Sequence, residues 1–191
     1  MSRIKQRKQG VVNSLVWTNQ NNSEATISYD GTDFDISAPV AIDGSLKFKR
    51  PVVTEDTAAT YTITAAQSGT LFVLAKASGI TFTLPTAVVG LTYEFFVSTS
   101  ITSNNYGIDT DGTDLFAGIV LNVDKDQAYT SATALQAICK GNGSSHIHID
   151  MDGSTTGGLL GSRISVTAIS SAVWLVEGII HGDSNVTTIF S

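Results

Sequence analysis

The chain has 191 residues, 11 basic and 17 acidic, for a formal net charge of −6; it is 42% hydrophobic and only 15% charged. That length holds one sizeable domain with an appendage, or two small domains. No apolar stretch reaches the roughly 18 residues a membrane-spanning helix needs, and no signal-peptide pattern opens the chain, so the expectation is a soluble protein with no membrane partner.

Residues 1–10 read as a basic arm. Arg3, Lys5, Arg7 and Lys8 fall within the first eight positions without an acid, which leaves seven basic against seventeen acidic residues on the rest. Such an arm either docks onto an acidic surface or is a solvated terminus. There is no basic groove and no interleaving of basic and aromatic residues, so nucleic acid is not an expected partner.

Residues 11–50 read as a small N-terminal β section. "NQNN", "DGTD" and "DGS" are turn punctuation between short apolar runs, and "ATISYDGTDFDIS" reads as a hairpin around Asp30-Gly31. Trp17 and Phe34 are its candidate anchors.

Residues 51–191 repeat one rhythm, a strand of five to eight residues followed by a turn. "ATYTITA", "GTLFVLA", "GITFTLP", "LTYEFFVST", "NYGIDT", "GIVLNV", "SHIHIDM", "SRISVTAI", "AVWLVEGII" and "VTTIFS" are the predicted strands. In "GITFTLP", Ile80, Phe82 and Leu84 alternate with Thr81 and Thr83, the period of a half-buried strand, and Pro85 stops it. "SATALQAICKG" fits a short helix or a strand. Many short strands without strand–helix alternation predict an all-β domain, an antiparallel β-sandwich or jelly roll.

The lone cysteine, Cys139, excludes an intrachain disulfide and reads as a buried small hydrophobe. GxSxG, HExxH, Walker and CxxC signatures are absent, so no catalytic residue is assigned and the chain is not expected to be an enzyme, nor to carry a cofactor. "DTDGTD" (Asp109, Asp111, Asp114) starts like a calcium loop. It lacks the glycine and glutamate that an EF-hand places at its sixth and twelfth positions, where this chain has Asp114 and Val120. Asp-Gly turns account for it without an ion. In "GSSHIHID", His146, His148 and Asp150 alternate with Ile147 and Ile149. On one strand both imidazoles would share a face, either wet or at a subunit contact, or as metal ligands if three copies meet at a threefold axis. His181 reads as a turn residue at a strand end.

Three segments carry a resemblance. "ISYDGTDFDISAPVAIDGSLKF", "ATYTITAAQSGTLFVLAKASGITFTLPTAVVGLTYEFFVSTS" and "GSRISVTAISSAVWLVEGII" resemble segments of structural proteins of tailed-bacteriophage virions, of the capsid decoration (cement) and head-fibre type. The resemblance spans most of residues 27–180. It implies a homotrimer of jelly-roll or sandwich domains, bound to the major capsid protein and stabilising the shell, in a virion assembled in the host cytoplasm. The HxH pair is similar to iron sites of trimeric phage spikes. On this reading Arg3, Lys5, Arg7, Lys8 and Trp17 are the capsid-contact candidates. The alternative is a tail-fibre or receptor-binding module that recognises host glycans through exposed aromatic and Asn/Asp side chains around Asn104, Asn105 and Tyr106.

Overall fold

The computed structural model describes strands at residues 3–9, 12–18, 24–29 and 34–36 by their backbone, and residues 49–125, 136–183 and 185–191 in full. The chain divides into two compact units, residues 1–48 and 49–191.

In the first unit, β1 (Arg3–Gln9), β2 (Val12–Thr18), β3 (Glu24–Tyr29) and β4 (Phe34–Ile36) form one sheet in chain order. All three of its pairings are antiparallel. The expected hairpin is present, with Tyr29 opposite Phe34. Its turn, with Asp30 and Gly31, lies outside the described residues.

The second unit holds β5 (Val52–Glu55), β6 (Thr60–Thr62), β7 (Leu71–Leu74), β8 (Ile80–Thr83), β9 (Thr92–Val97), β10 (Tyr106–Asp109), β11 (Leu115–Asp124), β12 (Gln136–Asn142), β13 (His148–Met151), β14 (Arg163–Ala168) and β15 (Val173–Gly182). One 3₁₀ turn, Ala65–Gln67, caps the path between β6 and β7. Among the described residues there is no α-helix; of the stretch that fits helix or strand, the part from Gln136 onward is strand, and residues 131–135 lie outside the described residues. Seven strands make one sheet, in the order β12-β11-β15-β14-β9-β7-β5, and four make another, β13-β10-β8-β6.

Both sheets are mixed, which corrects the expectation of antiparallel layers. From β5 to β11 the chain crosses from one sheet to the other at every strand. Strands that neighbour each other in a sheet therefore arrive after a full circuit and run parallel: β5 with β7, β7 with β9, β6 with β8 and β8 with β10. Val52 pairs with Leu71 and Leu71 with Glu94, circuits of 19 and 23 residues. These lengths exceed the dozen or so residues a parallel connection requires. The later strands add antiparallel pairs, and β11 lies parallel to β15 along ten residues.

Alternation sets the core. In β9, Tyr93, Phe95 and Val97 are buried while Thr92, Glu94 and Phe96 are only partly covered. The buried faces of the two sheets meet in one cluster. Phe72 of β7 lies 5.5 Å from Phe82 of β8, and Phe82 lies 5.5 Å from Phe95 of β9. Tyr93 packs 5.8 Å from Trp174 of β15. Off-parallel aromatic contacts of this kind add to the area they bury. Cys139 is fully buried in the same cluster, as expected, and burial pushes its thiol upward. The last residues pair with β13: Ile149 bridges Phe190, and both Ile147 N–H and His148 N–H donate to the Ser191 carbonyl at 3.0 Å.

Candidate functional site

The outward face of the four-stranded sheet is polar throughout. Register places Thr60, Thr81, Gly107 and Asp150 in one row across β6, β8, β10 and β13, and Thr62, Thr83, Asp109 and His148 in the next. Their neighbours Phe82, Ile108 and Ile149 are fully buried on the opposite face. Gly107 has no side chain, which leaves a gap between Thr81 and Asp150; a Cβ there would lie 2.9 Å from Thr81 Oγ1.

A cleft of about 540 Å³ opens beside that gap, lined by Ala59, Lys76, Ser78, Gly79, Ile80, Thr81, Asn104, Asn105 and Asp150. Two loops shape it. Asn104 is the one non-glycine residue with positive φ among the described residues, at 55°, and its amide donates to the Ser78 carbonyl at 2.9 Å. Asparagine tolerates this left-handed conformation better than most side chains. Gly79, at φ 87°, lets the loops touch: a Cβ there would sit 2.6 Å from the Asn105 carbonyl oxygen. Asn105 donates to Asp150 Oδ1 at 3.4 Å, and Lys76 Nζ donates to the Ala58 carbonyl at 2.8 Å. One cation, one carboxylate, two amides and a hydroxyl converge here. The set balances in charge and mixes donors with acceptors, which matches a neutral polyhydroxylated ligand better than an ion.

Asn104 and Asn105, expected at a glycan site, are thus brought together with Asp150. Tyr106 is not part of that surface. It is fully buried, its hydroxyl donates to the Thr99 carbonyl at 2.9 Å, and burial pushes its phenol up to about 12. The residue begins β10, and strand parity turns it into the core. Lys76 and Asp150 were not expected at this site. Asp150 stood out only through the histidine pattern, and Lys76 has no sequence signal beyond lying before a turn.

The two histidines of "GSSHIHID" have different surroundings. His148 opens β13 and lies opposite Asp109, with its Nδ1 3.0 Å from Asp109 Oδ1. His146 precedes the strand. Its ring stacks on Phe190 at 5.6 Å, and its Nδ1 accepts the Asn142 backbone N–H at 3.2 Å. No group of three or more His, Cys, Asp or Glu side chains among the described residues is placed to hold a metal.

The carboxylates of "DTDGTD" are engaged within the protein. Asp111 Oδ1 accepts from Thr113 N–H, Thr113 Oγ1 and Asp114 N–H, and Asp111 Oδ2 from Thr86 Oγ1. Burial alone would raise the Asp111 carboxyl, but these donors together lower it to about 2. Asp114, almost fully buried, accepts the Ala87 N–H at 2.6 Å.

Arg3, Lys5, Arg7 and Lys8 lie on β1, opposite Thr18, Val16, Ser14 and Asn13 of β2; Trp17 pairs with Ile4 and Ala25. Their side chains lie outside the described residues. His181 is within β15, one residue before its end.

Comparisons with protein-family models, with curated proteins and with solved structures return no match for this chain.

Proposed function

We propose that this chain is a structural component of a virion, of capsid-decoration or head-fibre type, whose copies cover and stiffen a shell by binding the major capsid protein. Its two mixed sheets, joined by one core, are taken as the layers of a β-sandwich. The observation that carries the reading is the outward face of the seven-stranded sheet. Val52, Ile119, Ile138 and Ile179 are 57%, 58%, 71% and 62% exposed there. A chain so poor in charge that leaves large apolar side chains exposed on a sheet face is built to be covered. The basic residues of β1 supply a second contact, complementary to an acidic shell; each pair is weak, and many copies act together. Replacing Arg3, Lys5, Arg7 and Lys8 by alanine leaves the fold intact and weakens binding to empty capsids at least about tenfold. Normal decoration by the folded variant would overturn the role given to the basic residues, and a wild type that does not bind empty capsids would overturn the capsid reading.

The polar cleft favours a second reading, a receptor-binding module for host glycans. Labelled protein separates the two, since a decoration protein adsorbs to empty capsids and ignores host cells. If the second reading holds, adsorption goes to cells instead, and Asp150→Ala or Asn105→Ala reduces it about tenfold or more by removing the hydroxyl-gripping pair.

A further inference from the structure

From the outward face of β12, β11 and β15, we infer that two copies of this chain pack together around a twofold axis lying along β11. The face carries a pattern symmetric about that strand. In one row Ile119 is flanked by Lys140 on β12 and Glu177 on β15. In the next, Leu121 is flanked by Ile138 on β12 and Ile179 on β15. The alternate residues Val120, Cys139, Val176 and Ile180 are fully buried on the inner face, so all six of the first set point outward.

A twofold axis parallel to β11, in the plane between two such faces, lays β12 of one copy over β15 of the other. Lys140 then meets the second copy's glutamate, and Glu177 its lysine, so the contact closes two ion pairs at once. The same rotation puts Ile138 over Ile179 and Leu121 over itself. This is the self-complementarity an isologous contact requires. Opposed sheets pack about 10 Å apart, a gap that a lysine and a glutamate reaching from opposite sides can bridge. Within one copy Lys140 and Glu177 have no ion-pair partner among the described residues. Nearby Arg163 is already held by Glu94 at 2.6 Å.

The resemblance noted in the sequence implies three copies around a threefold axis, whereas charge and shape on this face repeat about a twofold. The pairing would cover the same apolar side chains that carry the capsid reading, and its test needs neither capsids nor cells. Three strands by about seven residues make a footprint on the order of 14 by 23 Å. This is below the roughly 800 Å² per partner of a standard interface, so the pairing is reversible and depends on concentration.

Sedimentation of the full chain from micromolar to millimolar concentration tests it. The wild type moves from monomer to dimer. Lys140→Glu and Glu177→Lys each weaken dimerisation about tenfold or more, because each places like charges at both contacts. Mixed in equal amounts, the two variants recover a heterodimer, since each supplies the charge the other lacks. The double variant K140E/E177K recovers a homodimer. Far-UV circular dichroism confirms that each variant is folded, and the double variant reads the contact independently of either single change. A wild type that stays monomeric to millimolar concentration, one that forms trimers, single variants that pair as the wild type does, or a mixture and double variant that both fail to recover would each overturn the inference.

Discussion

Asp111 shows how a residue can look like a ligand and serve as a fastener. Its carboxylate accepts four hydrogen bonds, one of them from Thr86 on a separate loop, and so ties the turn before β11 to the segment after β8. Its folded-state pKa, about 2, lies below the ordinary 3.8. The folded state therefore holds the charged form more strongly than the unfolded chain does. That contribution is complete above about pH 4 and is lost as pH falls through about 2. Asp152, Glu94 and Glu55 are lowered too and act in the same direction. Urea denaturation measured between about pH 5 and pH 2 shows stability falling with pH in the wild type and falling less steeply in Asp111→Asn, which has no charge to lose. An equal slope in the two proteins would mean the carboxylate is not a fastener. The acidic cluster was visible in the sequence, and so was its explanation as a turn. The partner Thr86 was not, because it lies 25 residues away and only the fold brings it near. Tyr106 fails for the opposite reason. It lies within the predicted strand "NYGIDT", where alternation pairs it with Ile108 on the core face, but the glycan reading grouped it with the two asparagines before it as an exposed side chain.

Strand existence was largely legible, because half-buried alternation is a local signal: β7, β8, β9, β14 and β15 each fall on a predicted run. β5 was missed, since "VVTE" is short and follows a charged stretch, and its exposure places it at the sheet edge. Strand direction was not legible. A turn that doubles back within a sheet and one that crosses to the other sheet use the same Gly, Ser and Asp residues, and spacing alone does not separate them. The parallel pairing of β11 with β15 is the longest consequence of this, and it rests on a glycine. Gly118 has φ 145°, and a Cβ there would lie 2.0 Å from the Val176 carbonyl oxygen. That atom is sheet backbone and cannot swing aside. Gly118→Ala therefore forces β11 and β15 apart at mid-length and costs about 3 kcal/mol or more, read as a fall in the urea midpoint. Gly90→Ala serves as the comparison. It also has positive φ, but nothing lies within 4 Å of its would-be Cβ, so it carries the conformational penalty alone. Equal losses at the two positions would show that backbone strain and not strand contact sets the cost.

At the scale of the molecule, alternation told inside from outside but not how the two outsides differ. A threonine beside a phenylalanine in β8 and an isoleucine beside a valine in β11 both read as half-buried strands. Only the register gathers the threonines with Asp109, His148 and Asp150 on one face, and the isoleucines with Lys140 and Glu177 on the other. The histidines follow the same logic. Their shared spacing suggested one site, but the strand begins between them, and one joins the polar face while the other packs on Phe190. The chain divides into two compact units, residues 1–48 and 49–191. Among the described residues, every member of the hydrophobic cluster, from Ile63 to Phe190, belongs to the second unit. Of the two tryptophans in the chain, Trp17 belongs to the first unit and Trp174, fully buried, to the second. Residues 49–191 produced alone therefore fold around their own core. Trp174 then reports it as the sole tryptophan, with blue-shifted emission that moves to the red in one cooperative urea transition. Red emission before any denaturant is added would mean that this core does not close without residues 1–48.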